Sequence, residues 1–153
     1  MKEAVHEDSG AVATETRSAS GPASLRHFLE TADLWFRKVD ESLQTLGLSF
    51  ARYEVLAQLR DADAPLSLKA LADGQSCAAS NITQLVDRLE EEKLVARLSD
   101  PGDRRTVLAR LTEAGATTAD DAKIQLDVVT AQFAANFTAA ERKELGRLLD
   151  KIG

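Results

Sequence analysis

Residues 67–111 read SLKALADGQSCAASNITQLVDRLEEEKLVARLSDPGDRRTVLARL, and this stretch decides the fold. Its apolar spacing predicts a short helix from Ser67 to Ala72, a turn at Gly74, and a second helix roughly from Cys77 to Lys93. Two helices joined by a tight, glycine-containing turn form the helix-turn-helix motif.

After the second helix, the apolar residues change from a helical to an alternating period. Residues 94–98 and 106–111 are predicted as two strands, and the Pro101-Gly102 pair between them predicts a turn. The turn leads into a charged tip, Asp103-Arg104-Arg105. A hairpin directly after a helix-turn-helix indicates the winged variant of that motif.

Long amphipathic helices flank this segment. One is predicted from residue 23 to about residue 47, and the next begins after Ser49 as its N-cap. Thr112 is predicted to cap a long helix after the hairpin, and Thr138 with Glu141 matches the capping box of a last helix. The predicted fold is mainly α with a small β-hairpin wing.

Composition limits the classes of function. The chain has 153 residues, a net charge of -6 and a pI near 5.0, which argues against nucleic-acid binding through bulk positive charge. One cysteine and two histidines exclude an intramolecular disulfide and give little support to a metal site. No apolar run approaches the length of a membrane span, and the N-terminus lacks the apolar core of a signal peptide. We therefore expect a soluble cytoplasmic domain.

The predicted second helix and the hairpin tip carry side chains suited to DNA. Small residues at the helix start permit close approach in the major groove, where Asn and Gln pair with adenine and a threonine methyl meets thymine. An arginine one turn later can reach a phosphate, and arginines at the wing tip can enter a minor groove. The residues predicted to contact DNA are Ala79, Ser80, Asn81, Thr83, Gln84, Arg88, Asp103, Arg104 and Arg105.

Charge alone does not favour this interpretation over its alternative. Residues 67–111 contain seven Lys and Arg against seven Asp and Glu, so their net charge is zero. The argument for DNA binding must therefore rest on the geometry of the predicted motif. A winged helix that binds another protein and no DNA stays open as the alternative.

Five motifs stand out along the sequence: Leu71-Ala72, the run from Ser80 to Glu90, Leu94-Val95-x-Arg97, Asp100-Pro101-x-Asp103-Arg104-Arg105 and Leu111-Thr112-x-x-Gly115. Together they resemble the MarR family of bacterial transcription regulators, and the resemblance covers about residues 23–153. The sequence departs from the family pattern at Lys93, where a glycine is usual, and at Gln75 and Cys77, where apolar residues are common.

The resemblance implies a domain organisation and a DNA-binding mode. Residues 48–111 would form the winged helix-turn-helix lobe, residues 23–47 and 112–153 would form a homodimer, and residues 1–22 would be a disordered tail. The helix after the turn would read the major groove of a pseudo-palindromic operator. Arg105 would enter the minor groove, oriented by a charge-assisted hydrogen bond to Asp103.

The signal that regulates binding is less defined. Cys77 lies near the start of the reading helix, where a thiol is easily oxidised; the alternative is a small apolar residue that fills the turn. The family often binds small aromatic or amphipathic anions between the dimer helices and the lobe. The candidate pocket residues are His27, Trp35, Arg37, Phe50, Arg52 and Tyr53, although aromatic residues at helical spacing are also typical of a core.

These observations predict a homodimeric transcriptional repressor that a small molecule or a stress signal releases from double-stranded DNA. The sequence contains no nucleophile elbow, no phosphate-cradling glycine loop and no metal-ligand cluster. We therefore expect no enzymatic activity, no cofactor and no metal.

Overall fold

The computed structural model describes residues 21–74, 82–103 and 105–152, which form helices around a small sheet. The elements are α1 (Gly21–Gln44), α2 (Phe50–Asp61), β1 (Leu66–Ser67), α3 (Leu68–Asp73), α4 (Ile82–Glu91), β2 (Val95–Ser99), β3 (Val107–Leu111), α5 (Glu113–Ala134) and α6 (Ala139–Leu149). Across the described ranges, no helix has both the length and the apolar character needed to cross a bilayer.

The sheet has three antiparallel strands in the order β1-β3-β2. The predicted hairpin is confirmed: β2 and β3 pair over their whole length, with Leu98 opposite Leu108. Strand β1 was not predicted, because two residues are too few to show an alternating pattern. It pairs Leu66 with Ala109, so β3 is the central strand.

Side-chain caps fix the starts of several helices. The predicted N-caps Ser49, Thr112 and Thr138 are confirmed, and Thr138 forms the full capping box with Glu141. Helix α3 begins one residue later than predicted, because the Ser67 hydroxyl caps it by accepting a hydrogen bond from the N–H of Ala70 at 3.1 Å. Each cap satisfies a backbone donor that the helix itself leaves free.

Two helices end in a residue with left-handed backbone conformation. Gly47 has a φ of 70° after α1, and Lys93 has a φ of 61° after α4. In both places the next residue donates to a carbonyl five positions back, as in the Schellman motif: Leu48 to Leu43, and Leu94 to Leu89. This conformation favours glycine, which explains physically why glycine is usual in the family where this chain has Lys93.

The core lies mainly in the lobe between α2 and β3. Leu56 of α2, Leu71 of α3 and Leu89 of α4 are fully buried, and Ala109 of the central strand lies with them. Leu43 at the end of α1 and Ala122 of α5 complete this core from outside the lobe. The helix-turn-helix, the hairpin and the nearest ends of the long helices thus share one apolar centre.

The boundaries of two further helices also differ from the predicted ones. Helix α1 already begins at Gly21, two residues before the predicted start of the folded domain. The helix predicted from Cys77 to Lys93 is described only from Ile82, and it ends at Glu91. Residues 1–20, predicted as a disordered tail, and residues 75–81 lie outside the described residues.

Candidate nucleic-acid interface

Helix α4 presents its predicted DNA-reading side chains to solvent. Thr83, Gln84 and Arg88 are exposed, whereas Val86 and Leu89 on the other face are completely buried. The apolar face fixes the rotation of the helix on the core, because turning it would expose both buried residues. Polar and cationic groups are therefore held outward along one side of α4.

Several residues predicted to act at this surface lie outside the described ranges. Ala79, Ser80 and Asn81 lie before the described part of α4, and Cys77 precedes them. Arg104 at the hairpin tip is also outside the described residues. Their predicted roles in base reading, redox sensing and groove entry stay predictions.

Two carboxylates bind backbone N–H groups next to the hairpin tip. Asp100 accepts a hydrogen bond from the N–H of Gly102 at 2.7 Å, and Asp103 accepts one from the N–H of Arg105 at 3.0 Å. The second oxygen of Asp103 accepts the Thr106 hydroxyl at 3.0 Å. These bonds restrain the backbone on either side of residue 104, at Asp100 and Gly102 and at Asp103, Arg105 and Thr106.

The expected orientation of Arg105 by Asp103 therefore takes a different form. The hydrogen bond of Asp103 reaches the backbone N–H of Arg105. The exposed Arg105 guanidinium itself makes no hydrogen bond or ion pair with any residue that the structure describes. Asp103 thus positions the residue through its backbone, and the cation can contact a ligand.

The acidic residues of α4 and the residue just after it are largely paired with arginines from other elements. Arg97 of β2 contacts Asp87 at 2.5 Å and Glu90 at 3.3 Å, and Arg52 of α2 pairs with Glu92. These contacts were not predicted, because they depend on how the hairpin and α2 lie against α4. They partly neutralise the negative charge along α4, in a lobe whose residues 48–111 contain nine Lys and Arg against ten Asp and Glu.

A further ion pair joins the lobe to the long helix α5. The Arg60 guanidinium donates two hydrogen bonds to Asp120, at 2.9 and 3.0 Å. The guanidinium lowers the pKa of the Asp120 carboxyl below its usual value. This pair was not predicted, because Arg60 and Asp120 are far apart along the chain and no local pattern marks them as partners.

The structure places the six candidate effector residues on two helices, α1 and α2, and their role in a pocket stays a prediction. His27 is exposed on α1, Arg37 pairs with Asp33 on its own helix, and Trp35 packs edge-on against Phe133 of α5. The centre of the Trp35 ring also lies 4.2 Å from the Lys38 ammonium.

The other three candidates lie on α2. The Phe50 and Tyr53 rings are 6.3 Å apart, while Arg52 donates a hydrogen bond to the carbonyl of Gly47 at 2.8 Å. Tyr53 lines a small cleft of about 100 Å³ between α2 and α5, together with Arg60 and Lys123. Burial raises the pKa of the Tyr53 hydroxyl, an effect that Lys123 opposes.

Known proteins share both the sequence pattern and this geometry. The family model for the MarR family matches residues 48–107. The multiple antibiotic resistance protein MarR of Escherichia coli K12 is 31% identical over 119 residues, which are 76% of this chain and 81% of that protein.

Solved structures are similar over most of the chain. A mutant of MarR from Escherichia coli, crystallised with operator DNA, aligns with a TM-score of 0.73 and 28% identity over 83% of this chain and 91% of that one. CouR from Rhodococcus jostii RHA1, bound to p-coumaroyl-CoA, aligns with a TM-score of 0.72 and 27% identity over 88% and 95%. With this identity and coverage, the chain belongs to the MarR family of transcription regulators.

Proposed function

We propose that this protein is a homodimeric repressor that binds a pseudo-palindromic operator in double-stranded DNA. The observation that carries the proposal is the joint placement, on one lobe, of an outward-facing polar side of α4 and an exposed Arg105 whose backbone is bound by Asp103. Among known structures, a MarR mutant of Escherichia coli was crystallised with operator DNA. The protein performs no chemical step in this proposal.

Each exposed group has a distinct role on the duplex. Thr83 and Gln84 face base edges in the major groove, together with Ala79, Ser80 and Asn81 of the preceding segment. Arg88, one turn further along α4, binds a phosphate. Arg104 and Arg105 enter the adjacent minor groove, where a narrow A·T-rich stretch concentrates negative potential. Asp103 holds the tip in shape.

The terminal helices supply the dimer. Residues 23–47 and 112–153 carry exposed apolar side chains on α1, α5 and α6, which a second copy would cover. A two-fold symmetric pair of lobes places two copies of α4 about one helical turn apart on the same face of DNA. The lobe of residues 48–111 is the reading unit.

We further propose that a small aromatic or amphipathic anion releases the repressor. The cleft beside Tyr53, at the joint between lobe and α5, is lined by the cations Arg60 and Lys123 and also by Asp61 and Asp120. Arg60 is paired with Asp120 and Lys123 with Asp127, so a bound anion would have to compete with these carboxylates. CouR, a similar structure, was crystallised with p-coumaroyl-CoA, which has both aromatic and anionic character. Oxidation of Cys77 is the second candidate signal, and a peroxide titration of operator binding, compared with Cys77→Ser, distinguishes the two.

Selection of bound fragments from the source genome tests the proposal. We expect enrichment of an inverted repeat whose half-sites lie about one helical turn apart, because the dimer axis imposes that spacing. Binding should weaken steeply with salt, since each phosphate contact releases counterions. Selection that enriches no sequence, with retained capture of a protein partner, would favour the alternative of a protein-interaction module.

A further inference from the structure

Arg97 of β2 lies along the side of α4 and contacts it over two turns. Its Nη2 donates to the carbonyl of Thr83 at 3.3 Å and pairs with Asp87, and its Nη1 pairs with Glu90. The Glu90 carboxylate also accepts the backbone N–H of Arg97 at 3.4 Å. One arginine thus joins the wing to the recognition helix at three positions about one turn apart. One of these contacts is to the backbone carbonyl of Thr83, a predicted reading residue.

We propose that Arg97 is a positioning residue: it holds α4 and the wing at one relative orientation, so that both reach their grooves together, and it does not contact DNA itself. The inference rests on the proposed function, because the orientation matters only if both elements bind one duplex. The side chain of Arg97 is only 27% exposed, and its guanidinium is occupied on two sides by carboxylates.

The same ion pairs also neutralise charge on α4. Without Arg97, Asp87 and Glu90 would present unpaired carboxylates on the helix that approaches phosphates. Arg52 likewise neutralises Glu92, the residue just past the end of α4. Arg52 also donates a hydrogen bond to the Gly47 carbonyl between α1 and α2. Arg97 differs because it ties the helix to the wing, the other element that would enter DNA.

The experiment measures the dissociation constant of the dimer for its selected operator fragment over a range of salt concentrations. Arg97→Gln should weaken binding about tenfold, the usual size of a coupling through packed elements. The slope of log affinity against log salt should stay unchanged, because the variant keeps every phosphate contact of the wild type. Arg88→Gln is the matched control: the same charge change should make that slope shallower by about 1.8, since one phosphate per subunit, and so two per dimer, is no longer neutralised.

Two further variants separate positioning from simple repulsion. Arg97→Lys should weaken binding less than Arg97→Gln, since an ammonium can replace one of the ion pairs but not the forked geometry. The double variant Asp87→Ala with Glu90→Ala removes two negative charges while keeping Arg97. Positioning predicts weaker binding in this variant, whereas repulsion predicts tighter binding, and tighter binding would overturn the inference.

Amide hydrogen exchange in the absence of DNA tests whether Arg97 holds β2 and α4 together. Arg97→Gln should speed exchange in β2 and in the first turns of α4, while α6 should stay unchanged. Unchanged exchange, unchanged affinity, or a shallower salt slope in Arg97→Gln would each contradict the inference. If the wild type binds no fragment, the proposed function is wrong; if the wild type binds and Arg97→Gln binds equally well, only the role of Arg97 is wrong.

Discussion

The winged lobe and the terminal helices differ in how completely they cover their apolar side chains. In the lobe, Leu56, Leu71 and Leu89 are fully buried within a single chain. In contrast, α6 buries no residue, and α1 leaves several large apolar side chains open to solvent. The exposed set on the terminal elements is Leu25, Phe28, Leu29, Leu34, Phe36, Ile124, Val128, Leu148, Leu149 and Ile152.

This difference separates two sources of stability. The lobe obtains its core from contacts within one chain, so the shape of the reading surface does not require a partner. The terminal helices leave an apolar surface that a second copy would cover, so the spacing between two reading surfaces would be set at the interface. Changes in the two regions should therefore have different readouts: unfolding for the lobe and association for the terminal helices.

The largest effect on stability is expected where the lobe meets the terminal helices, at Gly115 near the start of α5. A Cβ at Gly115 would lie 1.8 Å from the backbone oxygen of Leu94, which also accepts the N–H of Thr112 at 3.1 Å. Gly115→Ala should therefore lower the free energy of unfolding by about 3 kcal/mol, because backbone on both sides must move. Chemical denaturation of the purified protein measures the change.

Gly146→Ala in α6 is the matched control. A Cβ there meets no atom within 4 Å, so alanine should raise the free energy of unfolding by about 0.5–1 kcal/mol through helix propensity. Equal effects of the two substitutions would show that the close approach at Leu94 does not constrain the joint.

The second largest effect should be on association. Leu25 and Leu29 of α1 are more than half exposed, at 58% and 57%. Replacing both by glutamate should raise the dimer dissociation constant at least a hundredfold, since each leucine can still gain about half of the 1.5–3 kcal/mol of full burial and a symmetric dimer carries four of them. Sedimentation equilibrium measures the constant. Val107→Glu, the same kind of change on β3 of the lobe, should leave association unchanged; an effect as large as that of the α1 variant would place the interface elsewhere.

The third effect concerns the wing. Arg105→Ala should weaken operator binding by about 1–3 kcal/mol, because it removes a guanidinium from a narrow groove. Arg110→Ala removes the same charge from the same hairpin but away from the tip, and it should weaken binding less. Fluorescence anisotropy with a labelled operator compares the two variants. Equal weakening would indicate a general electrostatic contribution of the hairpin instead of an inserted tip.

The smallest effect is expected at the end of α4. Lys93 has a φ of 61°, a conformation that costs a residue with a Cβ about 1 kcal/mol. Lys93→Gly should therefore raise the free energy of unfolding by about 1 kcal/mol, measured by urea denaturation. Glu91→Gly, within the same helix, should lower it by about the same amount. A destabilised Lys93→Gly protein would mean that the lysine side chain supports the helix end.

Much of the fold follows from local sequence signals. Serine or threonine before an apolar period predicted the caps at Ser49, Thr112 and Thr138, and alternation predicted both strands of the hairpin. The two-residue strand β1 could not be predicted, because its pairing with β3 depends on the tertiary path of the chain. In the sequence, Lys93 was visible only as a lysine where the family usually has glycine. The structure gives the physical reason for the usual glycine: the residue that ends α4 has a left-handed backbone.

The site was less predictable than the fold. Helical period placed Thr83, Gln84 and Arg88 on one exposed face, since burial of Val86 and Leu89 leaves no other rotation. The ion pairs of Arg97 with α4 and of Arg60 with α5 join different elements of the fold, so the spacing of residues in the sequence could not predict them. The candidate effector residues were chosen by chemical type, and chemical type does not tell a pocket wall from a packed ring.

Guanine methylation interference on the selected operator tests the central claim most directly, because methylation at N7 blocks the major groove alone. We predict strong interference at two clusters of guanines about one helical turn apart, one under each α4. Both clusters should persist with Arg105→Ala, since that residue acts in the minor groove. Tight binding without any major-groove interference, or without two-fold symmetry, would contradict the account of α4 as the reading helix of a dimer.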